Sequence, residues 1–193
     1  MTLFLNTSTN KMYLALVKRN KVLASFVRPT KNDASKYLMQ DIDDLLKSLN
    51  ANLVPQDIKK IVVGIGPGSY TGIRLGTTVA KMLAYFLNAK LMVVSSLFYL
   101  TSGYPSCIAY MEARNNNVFG AIYDQGKTIK KDGFFLKDEL FNLANHRQII
   151  DVENDPLIDY LKVNKKAKEI KNFVYLEPNY MRKTEAERNF EKI

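Results

Sequence analysis

A single cysteine, a single histidine and no long apolar run narrow what this 193-residue chain can be. With only Cys107, no disulfide can close within the chain, and a reducing, cytoplasmic setting is expected. The surrounding Ser106-Cys107-Ile108-Ala109-Tyr110 is apolar enough to read Cys107 as a small buried residue rather than a reactive thiol. No apolar stretch nears the roughly 20 residues that span a bilayer. The first ten residues have neither a basic start nor a small-residue cleavage site, so neither a membrane segment nor a signal peptide is expected. One histidine rules out metal sites built on a histidine pair at helical spacing. No Gly-x-Ser-x-Gly elbow is present, so a Ser-His-Asp triad has no scaffold, and His146, between Asn145 and Arg147, reads as a surface residue.

Acidic residues are also in the minority, 19 against 28 basic ones, for a net charge of +9. Such a balance favours acidic partners, RNA first among them. The 21 lysines against 7 arginines fit the coding bias of an AT-rich genome equally well. One lysine cluster stands out, at Lys165, Lys166, Lys168 and Lys171. The acids at Asp41, Asp43 and Asp44, and at Asp151, Glu153 and Asp155, read as solvated faces rather than a catalytic pair.

What is present is a 47% apolar composition, enough for a real core, arranged in recognisable periods. Residues 2–6 read as a buried strand. Residues 11–17 and 21–27 alternate apolar and polar around Asn20, a hairpin pattern. Leu38, Ile42, Leu45, Leu46 and Leu49 mark a helix over about 35–50. Residues 61–65 form a continuous apolar run, expected of a strand buried on both faces. A second helix over 71–88 carries Ile73, Ala80, Leu83, Ala84 and Leu87 on one side, and 91–94 is a further strand. This β-β-β-α-β-α-β order resembles the ribonuclease-H-like half of actin-type folds more than a doubly wound dinucleotide fold. Beyond a boundary at Tyr104-Pro105, strands are expected at 107–111, 118–123 and 128–135, with helices near 137–145 and 156–162. The charged tail 182–193 reads as a loose helix or a docking segment.

Five of the nine glycines fall between residues 64 and 76, at the junction of strand and helix. Such a turn can offer backbone N–H groups to an anion. It lacks the Gly-Lys-Ser/Thr ending of a P-loop. Counted from Gly64, the sixth place of a dinucleotide fingerprint is Ser69, and no acid follows about 20 residues on. A turn that lets the helix pack closely on the sheet explains the glycines equally well.

Gly66, Pro67, Gly68, Ser69, Tyr70, Thr71, Gly72, Ile73, Arg74, Leu75 and Gly76 together closely resemble the signature of the bacterial TsaB (YeaZ) family. Asn6-Thr-Ser-Thr9, Met111-Glu-Ala-Arg114 and Leu176-Glu-Pro-Asn-Tyr-Met-Arg182 resemble further family segments in the same order, Arg114 and Arg182 among the matched positions. Between the last two segments the match is poor and the chain is short. The resemblance implies an α/β, actin-like ATPase (ASKHA) fold of two related halves, here 1–103 and a reduced 104–193. It implies a non-catalytic accessory subunit that pairs with a TsaD-type catalytic subunit and a TsaE-type ATPase in making threonylcarbamoyladenosine (t6A) on tRNA, with tRNA met through the complex. No cofactor is expected on this chain alone, ATP or ADP belonging to the complex, and a homodimer is a further expectation. In the family the first two helices pack against those of the partner. The docking residues expected here are Tyr37, Asp41 and Asp44 on the first helix, and Arg74, Thr78, Lys81 and Tyr85 on the second, over about 800 Å² per partner. Actin-type ATPases place an acid on the first strand to organise metal and phosphate, and Asn6 stands there instead. The competing expectation is a small-molecule kinase or ATPase of the same superfold.

Overall fold

Strict alternation along the first strand sends its residues to two different cores. In the computed structural model, which describes residues 1–31, 33–49 and 53–181, β1 (Thr2–Asn6) lies at the centre of the first sheet. It pairs antiparallel with β2 (Lys11–Lys18), which turns back into β3 (Lys21–Pro29). On its other side β1 runs parallel to β4 (Lys60–Gly64), and β4 parallel to β5 (Lys90–Val94). The crossover helices are α1 (Ala34–Lys47) and α2 (Tyr70–Phe86). Leu3 and Leu5 of β1 point with Leu14 and Leu16 into a core closed by Leu38, Ile42, Leu45 and Leu46 of α1 and Val79, Ala80 and Ala84 of α2.

Phe4, between them, faces the opposite core with Tyr13, Ala15, Val62 and Val94. The cover there is α3 (Ser96–Thr101) and the inner face of a second sheet. That sheet is a meander of β6 (Ser106–Glu112), β7 (Asn117–Asp124) and β8 (Lys127–Leu136), with β9 (Gln148–Asp151) added parallel to β6. Cys107, Ala109 and Met111 join the shared core, while Ile108 faces the other way, under α4 (Lys137–Phe141). Finally α5 (Tyr160–Lys166) packs Val163 into the shared core, and β10 (Lys168–Glu169) adds an antiparallel edge to β5. The expected boundary at Tyr104-Pro105 thus falls between α3 and β6, yet the chain returns to the first sheet through β10. No helix among the described residues is long and apolar enough to cross a membrane.

Several expectations need correction. Nothing in the periodicity announces α3, because all six of its residues are buried and no polar face exists to set a period. Its start is fixed locally, by the Ser95 hydroxyl accepting from the Phe98 amide. The four-residue β9 and two-residue β10 are too short to show alternation. The helix expected over 137–145 ends at Phe141, where Leu143 and Ala144 continue in tight i→i+3 turns. The helix expected over 156–162 starts at Tyr160 instead. Leu157 is held by backbone bonds to Leu100 and Gly103, and Asp159 then caps α5 by accepting from the Leu161 and Lys162 amides.

Candidate functional site

The glycines of the turn between β4 and α2 make room for this chain's own backbone. A Cβ at Gly72 would stand 2.0 Å from the Thr7 carbonyl oxygen, and one at Gly68 2.3 Å from that of Ser8. Gly66, at φ +109, occupies backbone space that favours glycine, and a Cβ there would meet the Asn179 carbonyl oxygen at 2.4 Å. Hydrogen bonds follow the same contacts. The Ser69 amide donates to the Ser8 carbonyl (2.8 Å), the Thr7 hydroxyl to the Gly72 carbonyl (2.7 Å), and the Asn179 amide to the Ile65 carbonyl (2.7 Å). The Gly66 amide donates to the Ser96 hydroxyl (2.9 Å), and the Ser96 amide returns a bond to the Gly66 carbonyl. Residues 7 and 8 pack against one side of the turn and residue 179 against the other.

Asn6 ends β1 beside this turn and is fully buried. Its Oδ1 accepts from the Ser8 amide at 2.8 Å, which folds residues 6–8 into the tight loop that fills the turn. Its Nδ2 has no hydrogen-bond partner among the described residues.

The expected docking residues divide three ways. Asp41 is a correction: the helical stripe leaves it outside the core, yet it is only 3% exposed. Arg28 of β3 reaches across α1 and donates Nε and Nη2 to its two carboxylate oxygens at 2.7 and 2.6 Å, so this acid is held inside the chain. Lys81 is likewise engaged, donating to the carbonyls of Val174 (2.7 Å) and Leu176 (3.2 Å). The others lie at the surface. Tyr37 carries the Arg28 guanidinium over its ring, and Asp44 accepts from Gln40. Arg74 lies 5.2 Å over the Tyr70 ring, which stacks on Tyr180, and Thr78 is exposed between Arg74 and Lys81. Tyr85 is 73% exposed.

Sequence reasoning missed the neighbours of Tyr85. Phe86 is 75% exposed and meets the Tyr85 ring edge-on at 5.5 Å, Met82 stands half out of the surface, and Val174 and Tyr175 are exposed on the segment that Lys81 holds. Met82 and Phe86 were legible as large apolar residues outside the α2 stripe; Val174 and Tyr175 were not, since only the fold carries them to α2. A cavity of about 690 Å³ opens between the starts of α1 and α2, lined by Lys31, Ser35, Ser69, Thr71, Arg74 and Thr78 among others.

Elsewhere the groups with chemistry are dispersed. His146 is exposed, and Cys107 is buried, with burial pushing its thiol above the usual range. Arg114 is exposed between β6 and β7, while Arg182 and the tail lie outside the described residues. Among the described residues no group of three His, Cys, Asp or Glu side chains gathers as a metal site.

Where the two sheets meet, Asp132 Oδ1 accepts from the Ser95 hydroxyl (2.9 Å) and the Tyr123 hydroxyl (3.0 Å). Burial pushes the Asp132 carboxyl above its ordinary 3.8, partly opposed by these two donors. Between 3.8 and the raised value the folded chain keeps a proton that the unfolded chain has released, so stability falls as pH rises through that interval. Asp132→Asn keeps an acceptor at Oδ1 and never ionises. It is expected to melt above the parent at pH 7, with the advantage shrinking as the pH falls toward 3.8. Melting curves across that range, followed by circular dichroism, check this, and a deficit at pH 7 would contradict it.

Against known proteins, residues 22–151 match the family model described as TsaD: tRNA N6-adenosine threonylcarbamoyltransferase. The chain is 30% identical over 160 residues to the tRNA threonylcarbamoyladenosine biosynthesis protein TsaB of Bacillus subtilis (strain 168), covering 81% of this chain and 68% of that protein. It is 28% identical over 129 residues to the protein of the same name from Escherichia coli (strain K12), covering 64% of this chain and 54% of that one. It therefore spans about half the length of the latter. Among solved structures, YeaZ from Pseudomonas aeruginosa superposes with a TM-score of 0.75 at 19% identity, covering 93% of this chain and 98% of that chain.

Proposed function

The chain belongs to the TsaB family and has its actin-like, ribonuclease-H-like fold, and from that premise we propose that it is a non-catalytic accessory subunit in t6A formation on tRNA, acting by docking to a TsaD-type catalytic subunit. The observation that carries this reading is the filled turn. In the fold's ATPases the ends of these strands face a nucleotide. Here the Ser8 carbonyl takes the Ser69 amide, the Thr7 hydroxyl the Gly72 carbonyl and the Asn179 amide the Ile65 carbonyl, and an amide, Asn6, stands where an acid would organise a metal.

The surface for the partner is the outer side of α1 and α2, with Tyr37, Asp44, Arg74, Thr78 and Tyr85 from the expected set and Met82 and Phe86 added. Aromatic and arginine side chains are favoured anchors at interfaces. Lys81 supports the surface indirectly by holding Val174 and Tyr175 beside it. In the partner's absence, the same face serves a second copy of the chain. Residues 1–103 and 104–193 are taken as the two halves of the fold, the second reduced. A TsaE-type ATPase and tRNA complete the assembly, with any ATP or ADP held by the complex.

Reconstitution tests the reading. A TsaD-type subunit, a TsaE-type ATPase, ATP, threonylcarbamoyl-adenylate and tRNA are combined with and without this chain, and t6A is quantified by mass spectrometry of digested tRNA. Product is expected only when the chain is present. Equal product without it, or ATP hydrolysis by the purified chain alone, would overturn the accessory role.

A further inference from the structure

Two adjoining hollows between the second sheet and the β5–β10 edge of the first collect lysines with little to neutralise them. One, of about 510 Å³, is lined by Lys127, Lys162, Lys165 and Lys166 and by no acid. The other, of about 420 Å³, shares Lys166 and Phe98 with it and adds Lys131 and Lys168. The six lysines come from β8, α5 and β10, which approach one another only in the fold. Lys166 joins the elements, donating to the Gly126 carbonyl at 3.0 Å while its ammonium lies 5.3 Å from the centre of the Phe98 ring.

The acids nearby are engaged elsewhere. Asp132, the one carboxylate lining either hollow, is bonded to Ser95 and Tyr123. Asp124 pairs with Arg147, and Glu169 with Lys90. Asp159 caps α5 and approaches Lys162 only at 3.7 Å. Lys127, Lys131, Lys165 and Lys168 have no ion-pair partner among the described residues. Ammonium groups gathered around a concave surface repel one another, and the repulsion is relieved when anions enter between them.

We infer that this lysine-lined groove is a direct contact for the phosphate backbone of RNA, the substrate tRNA in the assembly proposed above, on which the identity of that RNA rests. A row of phosphates is the anion that matches several cations spread over three elements. The aromatic rings lining the hollows, Phe98 and Tyr123, are buried, so neither is free to stack on a base. The lysine contacts therefore position the RNA on its backbone. Neither hollow is lined by a residue of α1 or α2, so the groove and the docking face can be occupied together.

The test is fluorescence anisotropy of a labelled tRNA transcript titrated with the full chain over a series of salt concentrations. Lys127→Gln, Lys162→Gln and Lys165→Gln are combined, leaving the structural Lys166 in place. The control combines Lys18→Gln, Lys21→Gln and Lys59→Gln, exposed lysines on β2, on β3 and just before β4, with the same charge change. Each phosphate contact contributes about 0.7–0.9 to the slope of log affinity against log salt. The groove variant is expected to lose about tenfold or more in affinity and about two from the slope, while the control keeps both. Equal losses in the two variants, or no tRNA binding by the parent chain, would overturn the inference, the latter leaving an acidic protein as the groove's occupant. Pairing of the groove variant with the TsaD-type subunit is followed separately by size-exclusion chromatography. A chain that binds tRNA through the groove but never pairs would overturn the accessory role and leave the groove standing.

Discussion

Alanine at Gly72 should severely destabilise the fold. The added methyl would sit 2.0 Å from the Thr7 carbonyl oxygen and 3.2 Å from its carbon, and backbone cannot swing aside as a side-chain tip can. Relief requires either lifting the start of α2 off β1 or breaking the loop in which the Ser8 amide is held by Asn6 and the Ser8 carbonyl by Ser69. Both routes open the core under Ile73, which is fully buried. A loss of more than about 4 kcal/mol is expected, which for a chain of this length lowers the melting temperature by about 10 °C or prevents folding. Gly126→Ala is the natural control. Its φ of +75 strains any side chain, but a Cβ there meets nothing within 4 Å, so about 1 kcal/mol is expected. Thermal melts of the two variants compare them directly. If Gly72→Ala melts as the parent does, the close approach of turn and loop is not what holds α2 in place.

Arg74→Glu combined with Tyr85→Ala should abolish pairing with a TsaD-type subunit while leaving the chain folded. Both side chains stand at the surface of α2, Arg74 against the Tyr70 ring and Tyr85 against the Phe86 edge, and neither enters a core cluster. Truncating a well-packed aromatic anchor at an interface costs about 2 kcal/mol or more, and reversing a charge adds repulsion to whatever it faced. A drop of at least about 100-fold in affinity is therefore expected, measured by isothermal titration calorimetry, with an unchanged melting curve. Normal affinity in the double variant would move the docking surface elsewhere. Asp41→Ala is the instructive contrast. It is expected to act on stability, because that carboxylate belongs to Arg28 and not to a partner.

How much of this was legible in the sequence depends on whether an element has two different sides. The hairpin of β2 and β3, the apolar stripe of α1 and the buried run of β4 each show a period or a length that their packing requires, and all three lie where the pattern places them. The helix α3 has no dry and wet side to distinguish, and β9 and β10 are defined by which strand they lie against. The glycine cluster announced close packing, but not what would be packed. That Thr7, Ser8 and Asn179 fill the turn depends on residues more than 60 and more than 100 positions apart in the chain meeting at one strand end. The same holds for Asp41, whose partner Arg28 lies on a different element, and for the lysine groove, only part of which is a cluster in the sequence.

The late return of the chain to its first sheet bears on the order in which the protein is made. Every strand of that sheet except β10 is synthesised before the second sheet begins, and β5, its bare outer edge, must wait for Lys168 and Glu169. While the ribosome is still producing β6 to α5, the nascent chain presents an unpaired strand edge, the kind of surface on which other chains add strands. The short charged β10 closes that edge only after the whole second sheet has emerged.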